Sequence, residues 1–186
     1  QTPTYSMRTL TYHEATPGHH HQIAHSLENE DLTLYRRFGY GTSAFSEGWA
    51  LYAERLALEA GLAENPFDEL GILQSEIFRA VRLVVDTGLH YKKWTREEAM
   101  EYMKAITGMS DTEVRVEIER YIVWPGQALS YKVGMIKILE FREKAKTLLG
   151  DKFNIKDFHS AVLDHGNPPL FVVEKMVNKM IEEAKF

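Results

Sequence analysis

Apolar residues recur along the chain at spacings of three and four, the period of an α-helix, while the alternation typical of β-strands is scarce. A first helix is predicted from about Ser6 into residues 13 and 14. A second is predicted in the segment TPGHHHQIAHSLE, with Thr16 as N-cap and Pro17 at the first helical position. The segment RRFGYGTSAF is predicted to be a turn that leads into a helix over SEGWALYAERLALEAG, ended by Gly61.

Four residues that favour helix starts mark the later helices: Asn65, Thr95, Ser110 and Pro125. The helix after Asn65 is predicted to continue to about His90. Two more helices, over NIKDFHSAVLDHG and PPLFVVEKMVNKMIEEAKF, are predicted at the end of the chain. The pattern therefore predicts an all-α fold of about eight helices.

Length and charge narrow the class of protein. The chain has 186 residues, which suits one domain over residues 1–186 with a single core. Its formal net charge of -5 argues against nucleic acid as a partner. No apolar run reaches the roughly 18 residues that a membrane-spanning helix needs. Cysteine is absent, so thiolate ligands and disulfides are excluded, while a cytoplasmic and an exported location both stay open.

The segment YHEATPGHHHQ, residues 12–22, carries the strongest chemical signal in the chain. A histidine followed by glutamate is typical of zinc hydrolases, in which a second histidine lies four residues after the first. Here position 17 is proline, and the next histidines are His19 and His20. On a regular helix His19 would lie about 240° around the axis from His13, and His20 about 10 Å along it. Neither could share one zinc ion with His13 at bond lengths of about 2.0–2.1 Å.

Pro17 and Gly18 change that geometry. Proline removes a backbone N–H and clashes with the preceding turn, and glycine permits backbone angles that other residues avoid. A two-residue bulge at Thr16 and Pro17 would place His19 where the second histidine normally lies, and such bulges often occur at functional sites. A metal site is therefore compatible with the sequence only if the helix is broken. The alternative is a histidine-rich helix start whose side chains are solvated.

A third ligand is available in SEGWALYAE. Its Glu47 follows His19 by 28 residues, and EGWA resembles the NEGFA of zinc aminopeptidases, where that glutamate is the third ligand. Glu54 lies seven residues further along the same helical face, so it could support the site or replace Glu47. The alternative for Glu47 is an ordinary first-turn glutamate that faces the helix dipole.

Five segments resemble, in order, the C-terminal half of the bacterial family called domain of unknown function 885: HEATPGHHHQ, EGWALYAE, VRLVVDTGLHYKKWTREEAMEYM, YIVWPGQALSYKVG and FHSAVLDHGNPPL. That family is grouped with the gluzincin metallopeptidases. The resemblance implies a helical catalytic half with zinc bound by His13, His19 and Glu47 and with Glu14 as general base. It also implies that a preceding helical half of the same protein is the partner of this one.

Two further groups of polar residues are candidates for the site. Arg82, Asp86 and His90 form one stripe on an otherwise apolar helix. Such a stripe is either a buried network or a means of orienting His90 toward a cleft through Asp86, where His90 would contact the substrate or the oxyanion.

The segment YIVWPGQALSY resembles the tyrosine-rich late helix of oligoendopeptidases and of angiotensin-converting enzyme, in which a tyrosine hydroxyl stabilises the oxyanion. Tyr131 is the first candidate for that role, Tyr121 the second, and Gln127 could bind the substrate backbone. The alternative for each tyrosine is core packing.

These observations lead to a zinc-dependent peptidase as the first hypothesis, with a peptide as substrate and His20 held as the alternative to His19. A second hypothesis is a metal-binding but inactive module for binding or scaffolding. A third is a zinc hydrolase of a non-peptide amide. Because the chain starts at Gln1 and reaches the His-Glu pair at once, we expect residues 1–186 to be the C-terminal half of a longer protein.

Overall fold

The structure is a computed structural model that describes residues 4–39 and 41–185. Every regular element in these residues is helical, which confirms the predicted all-α fold. The described residues form three short 3-10 turns and ten α-helices: α1 Met7–Glu14, α2 His19–Glu28, α3 Leu34–Phe38, α4 Ser43–Glu59, α5 Pro66–His90, α6 Arg96–Thr107, α7 Asp111–Val123, α8 Ser130–Leu149, α9 Ile155–Leu163 and α10 Leu170–Glu183. Within the same residues, no helix is long and apolar enough to cross a bilayer.

Three helix starts follow the capping residues seen in the sequence. The Asn65 side chain accepts hydrogen bonds from two backbone N–H groups in the first turn of α5. Thr95 and Ser110 each form a capping box, with Glu98 and Glu113 as the reciprocal partners. These side chains satisfy backbone donors that a helix start leaves free, so the starts of α5, α6 and α7 are determined locally.

The start of α8 differs from the prediction. Pro125 does not open the helix, because Gly126 follows it in the left-handed region with φ 81°. A 3-10 turn over Gln127–Leu129 comes next, and the α-helix begins at Ser130. The segment predicted as a turn before α4 also contains helix, since α3 covers Leu34–Phe38. Tyr40 of that segment lies outside the described residues.

Two apolar clusters form the core. The first joins α4, α8, α9 and α10, and its largest fully buried members are Phe45, Trp49, Leu51, Tyr52, Met135, Ile138, Phe158 and Ile181. The second joins α5, α6 and α7, and its members include Val81, Val85, Met103, Val114, Ile118 and Tyr121. Helix α5 also contacts α4 and α8, so it connects the two clusters.

Helices α4 and α8 cross with their backbones in contact. A Cβ atom on Gly48 would lie 2.5 Å from the Cα of Gly134, and one on Gly134 would lie 1.9 Å from the carbonyl oxygen of Ala44. Only hydrogen fits at these two positions. Glu47 precedes Gly48 in α4, and Tyr131 lies about one turn before Gly134 in α8. The close approach of the two helices therefore determines the distance between Glu47 and Tyr131.

Candidate metal centre

The helix predicted to be interrupted between Glu14 and His19 is interrupted there. Helix α1 ends at Glu14, four residues follow outside any helix, and α2 begins at His19 with Gly18 as its N-cap. The break includes a cis peptide bond between Thr16 and Pro17. The prediction that Thr16 caps α2 and that Pro17 starts it was therefore wrong. The local change is a complete break between two helices and not a two-residue bulge.

Gly18 allows the chain to break between α1 and α2 because it has no side chain. Its φ of -77° and ψ of -134° lie outside both the α-helical and the extended regions, as predicted for a glycine at this position. A Cβ atom here would lie 1.9 Å from the carbonyl oxygen of His13 and 2.4 Å from that of Tyr12. The chain thus folds back directly against the end of α1. As a result, the His13 and His19 rings lie 4.9 Å apart at an interplanar angle of 86°.

His13, His19 and Glu47 converge at this point. Each offers one ligand atom, and the three atoms lie within 4.8 Å of one another, a grouping of three metal-binding side chains that occurs once in the described ranges. Glu47 Oε2 lies 3.2 Å from His19 Nε2 and 3.8 Å from His13 Nε2. Tetrahedral zinc with bonds of about 2.0–2.1 Å separates its ligand atoms by roughly 3.3 Å. The arrangement therefore fits a zinc ion with small side-chain adjustments.

Glu54 lies behind His13 and not beside Glu47. The Nδ1–H of His13 donates to Glu54 Oε1 at 2.7 Å, and Thr9 Oγ1 donates to Glu54 Oε2 at 2.8 Å. Both oxygens of this carboxylate, which is 1% exposed, are therefore occupied. A carboxylate on Nδ1 fixes the tautomer that leaves Nε2 free to bind metal. Of the two roles predicted for Glu54, the structure places it in the supporting one.

Two other candidates lie outside the converging group. His20 is exposed on α2 and is not among the three clustered side chains, so the break aligns His19 with His13 in preference to His20. Glu14 is exposed at the last residue of α1 and has no hydrogen-bond or ion-pair partner in the part of the chain that the structure describes. It is therefore a free carboxylate directly after a clustered histidine.

Tyr131 lies next to this group. Its ring is stacked on His13 with centroids 6.3 Å apart, and the Arg82 guanidinium lies 4.4 Å from its centroid on α5. Gln127 Nε2 donates to the Tyr131 hydroxyl at 3.4 Å, while Gln127 Oε1 accepts from Arg120 at 2.8 Å. Gln127, predicted to bind substrate backbone, therefore contacts Tyr131 and orients it.

Tyr121 is placed differently from what the sequence suggested. It is fully buried, and its hydroxyl accepts from Arg82 Nε at 2.8 Å and donates to Glu117. Both hydrogen-bonding directions of the phenol are therefore used inside the second apolar cluster. This arrangement leaves no free donor for a substrate, so Tyr121 has a packing role and Tyr131 is the remaining tyrosine candidate.

His90 and Asp86 also lie away from the metal ligands. His90 Nε2 hydrogen-bonds to the Tyr121 carbonyl at 2.9 Å, and the Asp86 carboxylate accepts from the Gly126 N–H at 3.0 Å. Asp86 therefore holds the loop after α7 and does not orient His90. Arg79 is the α5 residue beside Glu54, and His90 lies eleven residues beyond it, about 16 Å along the helix axis. The predicted contact of His90 with an oxyanion is therefore not supported by its position.

Three residues of the site were missed in the sequence. Thr9 contacts Glu54, and Arg79 Nη2 lies 3.8 Å from the same carboxylate. The indole N–H of Trp49 donates to the Pro17 carbonyl at 2.9 Å and so joins the break to the helix that carries Glu47. Two weak signals were present: Thr9 precedes His13 by one helical turn, and Trp49 lies within EGWA.

We expect Trp49→Phe to weaken zinc binding about 2–10-fold, which corresponds to the loss of one hydrogen bond of about 0.5–1.5 kcal/mol. The physical reason is that the Pro17 carbonyl loses its donor and the position of His19 relative to Glu47 becomes less defined. Competition titration with a zinc-binding dye measures the change. Trp94→Phe, which alters a tryptophan packed against Gly88, is the matched control. Equal zinc affinity in the two variants would remove Trp49 from the site.

The charged side chains of the metal-free group depend on one another. Burial disfavours a charge on His13, but hydrogen bonds with Glu47 and Glu54 outweigh it and raise the pKa of His13 above its ordinary 6.5. Burial likewise disfavours the Glu47 carboxylate, but hydrogen bonds from His13 and His19 lower the pKa of Glu47 from 4.5 to about 2. The cluster therefore favours an imidazolium next to carboxylates when no metal is bound.

In the zinc-free chain, the stability that Glu47 provides is expected to be greatest between about pH 4.5 and 6.5. The raised pKa of His13 gives a contribution that is complete below 6.5 and is lost as the pH rises through the folded value. The lowered pKa of Glu47 gives one that is complete above 4.5 and is lost as the pH falls toward about 2. Urea unfolding of wild type and Glu47→Gln across pH measures the difference, and a difference independent of pH would contradict the linkage.

Residues 1–177 match the family of bacterial proteins of unknown function called DUF885. The chain belongs to the DUF885 family. No curated protein sequence matches it.

Two solved structures are similar to this DUF885 chain. One is a protein of Colwellia psychrerythraea described as a candidate lipoprotein, with 55% identity and a TM-score of 0.93 over 97% of this chain. The other is a candidate lipoprotein of unknown function from Shewanella oneidensis, with 30% identity and a TM-score of 0.87 over 94% of this chain. The chain spans about a third of the length of each, 31% and 32% respectively.

Proposed function

We propose that this DUF885 chain carries the metal centre of a zinc-dependent, gluzincin-like peptidase. The observation that supports it most is the convergence of His13 Nε2, His19 Nε2 and a Glu47 oxygen, with the other nitrogen of His13 held by Glu54. Two histidines, one carboxylate and a free fourth position are the donor set of hydrolytic zinc sites. Cysteine is absent, so a closed thiolate site of the structural type is excluded.

A zinc ion bound by these side chains would polarise the scissile carbonyl and lower the pKa of water toward about 7. The proton transfers and the stabilisation of the oxyanion would be carried out by side chains of the protein. Glu14 has no hydrogen-bond or ion-pair partner among residues 4–39 and 41–185 and follows His13, which suits a general base that takes the proton of the attacking water. The same carboxyl then returns the proton to the leaving amine. An exposed glutamate that directly follows a proposed ligand can perform both transfers.

Tyr131 is the proposed donor to the oxyanion. Its ring is stacked on that of His13 with centroids 6.3 Å apart, which supports a role beside this proposed ligand. Gln127 and Arg82 restrict the orientation of the ring and hydroxyl. Because these contacts exist before substrate binds, the donor needs little reorganisation during the reaction.

The experiment that tests the proposal measures zinc content and peptide hydrolysis on the same preparation. Metal analysis is expected to give close to one zinc per chain, and a peptide library analysed by mass spectrometry is expected to show cleavage. A chelator should abolish cleavage, and added zinc should restore it. Stoichiometric zinc without cleavage of any peptide would favour the binding module, and turnover of non-peptide amides alone would favour the third hypothesis.

A further inference from the structure

A second feature lies one helical turn from the metal ligands. A cavity of about 350 Å³ opens between α1, α5 and the turn that joins α6 and α7. Its wall includes Thr9, Leu10, Ser75, Phe78, Arg79 and Met109. Thr9 precedes His13 by four residues, so this wall begins about 6 Å along α1 from the metal ligands. The cavity is therefore within reach of a peptide whose scissile carbonyl lies at the metal centre.

Arg79 is the cation in this wall, and one edge of its guanidinium is unused. The side chain is 14% exposed, and its Nη1 donates to Ser75. Its Nε is buried with no hydrogen-bond partner in the described residues, and its Nη2 lies 3.8 Å from Glu54, beyond hydrogen-bond distance. Since Nε is enclosed by protein atoms, Nη2 is the nitrogen that can donate a charge-assisted hydrogen bond to a carboxylate in the cavity.

The carboxylates nearby are already bonded to other groups. Glu54 accepts from His13 and Thr9 with its two oxygens. Glu113, which also lines the cavity, accepts from the N–H and the hydroxyl of Ser110 in the capping box of α7. Arg79 is therefore a partly buried cation beside an open cavity, and its Nη2 is the donor left for an anion from outside the chain.

We propose that this cavity binds the C-terminal carboxylate of a peptide substrate through Arg79, with Ser75 as its neighbouring hydroxyl. The inference rests on the proposed peptidase function and specifies its substrate class. An extended residue spans about 3.3–3.6 Å, so the distance from the metal ligands to this wall corresponds to one or two residues. Hydrolysis would break the C–N bond, add hydroxyl to the acyl carbon and hydrogen to the amine, and release a short C-terminal piece.

The remaining walls indicate which side chain would accompany that carboxylate. Leu10, Phe78 and Met109 provide an apolar surface, and Phe78 also lies under the Arg79 guanidinium at 5.3 Å from its ring centroid. An apolar or aromatic C-terminal residue suits this surface, since it would bury its side chain while its carboxylate meets the cation.

The test is a binding measurement on the zinc-free chain, because zinc could itself bind a carboxylate. N-acetyl-alanyl-phenylalanine and its C-terminal amide are titrated separately and followed by calorimetry. The free acid is expected to bind roughly 10–100-fold more tightly, as for hydrogen bonds to a charged group. Arg79→Gln should equalise the two affinities, and Arg79→Lys should retain part of the preference because the charge remains. Arg55→Gln, which removes an arginine outside the cavity, is the matched control and should keep the preference.

A second variant protects the test against indirect effects of Arg79 on Glu54. Gln74 also lines the cavity, and Gln74→Glu places a negative charge there while Arg79 stays intact. We expect this variant to lose the preference for the free acid at unchanged thermal stability. Binding of neither ligand, or equal binding of both by wild type, would overturn the inference.

Failure of this inference can be distinguished from failure of the proposed function. If the zinc-loaded chain cleaves peptides and does not distinguish free from amidated C-termini, the proposed peptidase function is supported and the proposed carboxylate site is contradicted. If the zinc-free chain prefers the free acid through Arg79 but no peptide is cleaved, the carboxylate site is supported and the proposed peptidase function is contradicted.

Discussion

Exchanging Glu14 for glutamine is expected to leave the zinc content unchanged and to lower kcat for peptide hydrolysis by roughly 10²–10⁴-fold, the usual contribution of a general base. The amide has almost the same shape as the carboxylate but cannot accept the proton of the attacking water. Since Glu14 is exposed and makes no hydrogen bond or ion pair with the described residues, the exchange should not alter folding. Loss of turnover at equal zinc content and equal thermal stability is therefore the expected result.

The measurement compares kcat for the best library peptide between wild type and Glu14→Gln, with zinc determined on the same samples. Glu28→Gln is the matched control, because Glu28 is an exposed glutamate at the last position of α2, as Glu14 is of α1. The control should hydrolyse peptide at the wild-type rate. Full activity in Glu14→Gln would mean that a different group accepts the proton and that the sequence pattern was misleading.

Helix positions could be predicted where a local signal determines them. Asn65, Thr95 and Ser110 cap α5, α6 and α7 as expected, because each side chain bonds to backbone atoms within a few residues. The start of α2 could not be predicted in this way. Gly18 is required there because it touches the carbonyl oxygens of α1, a contact that exists only once the chain has folded back.

The same distinction applies to the candidate site. His13, His19 and Glu47 could be proposed from motifs, since the donor types and the helix breakers are visible in the sequence. Thr9 and Trp49 could not, because their partners Glu54 and Pro17 lie 45 and 32 positions away. The spacing of residues within a motif does not reveal which polar groups, distant in sequence, hydrogen-bond to each other in the fold.

The two tyrosines illustrate the limit of motif reasoning. Tyr121 and Tyr131 lie in one segment and share the same chemistry. The sequence alone therefore could not decide which of them is the donor to the oxyanion. The deciding residue is Arg82 on α5, which bonds to the Tyr121 hydroxyl and lies over the Tyr131 ring. The Tyr121 hydroxyl therefore already accepts a hydrogen bond from Arg82, whereas the Tyr131 ring is oriented beside His13.

Loss of zinc from His13→Ala is the second large effect that we expect. His13 contributes its Nε2 to the ligand group and is 2% exposed, so no water-exposed side chain can easily substitute for it. Glu54→Gln keeps an acceptor for His13 Nδ1 but removes the charge that raises the basicity of the ring. Its zinc affinity should fall about 10–100-fold, as for other supporting groups, and His13→Ala should lose more than that.

His20→Ala is the matched control for this series and also decides between the two neighbouring histidines. The side chain is exposed and lies outside the converging group, so zinc affinity should equal that of wild type, whereas His19→Ala should lose zinc as His13→Ala does. Isothermal titration with zinc on chelator-treated protein gives all the affinities, and circular dichroism verifies that each variant is folded. Zinc retained by His19→Ala and lost by His20→Ala would show that the break between α1 and α2 presents the other imidazole. The ligand group would then have to be rebuilt around a rotated α2, with Glu47 reassessed as its third member.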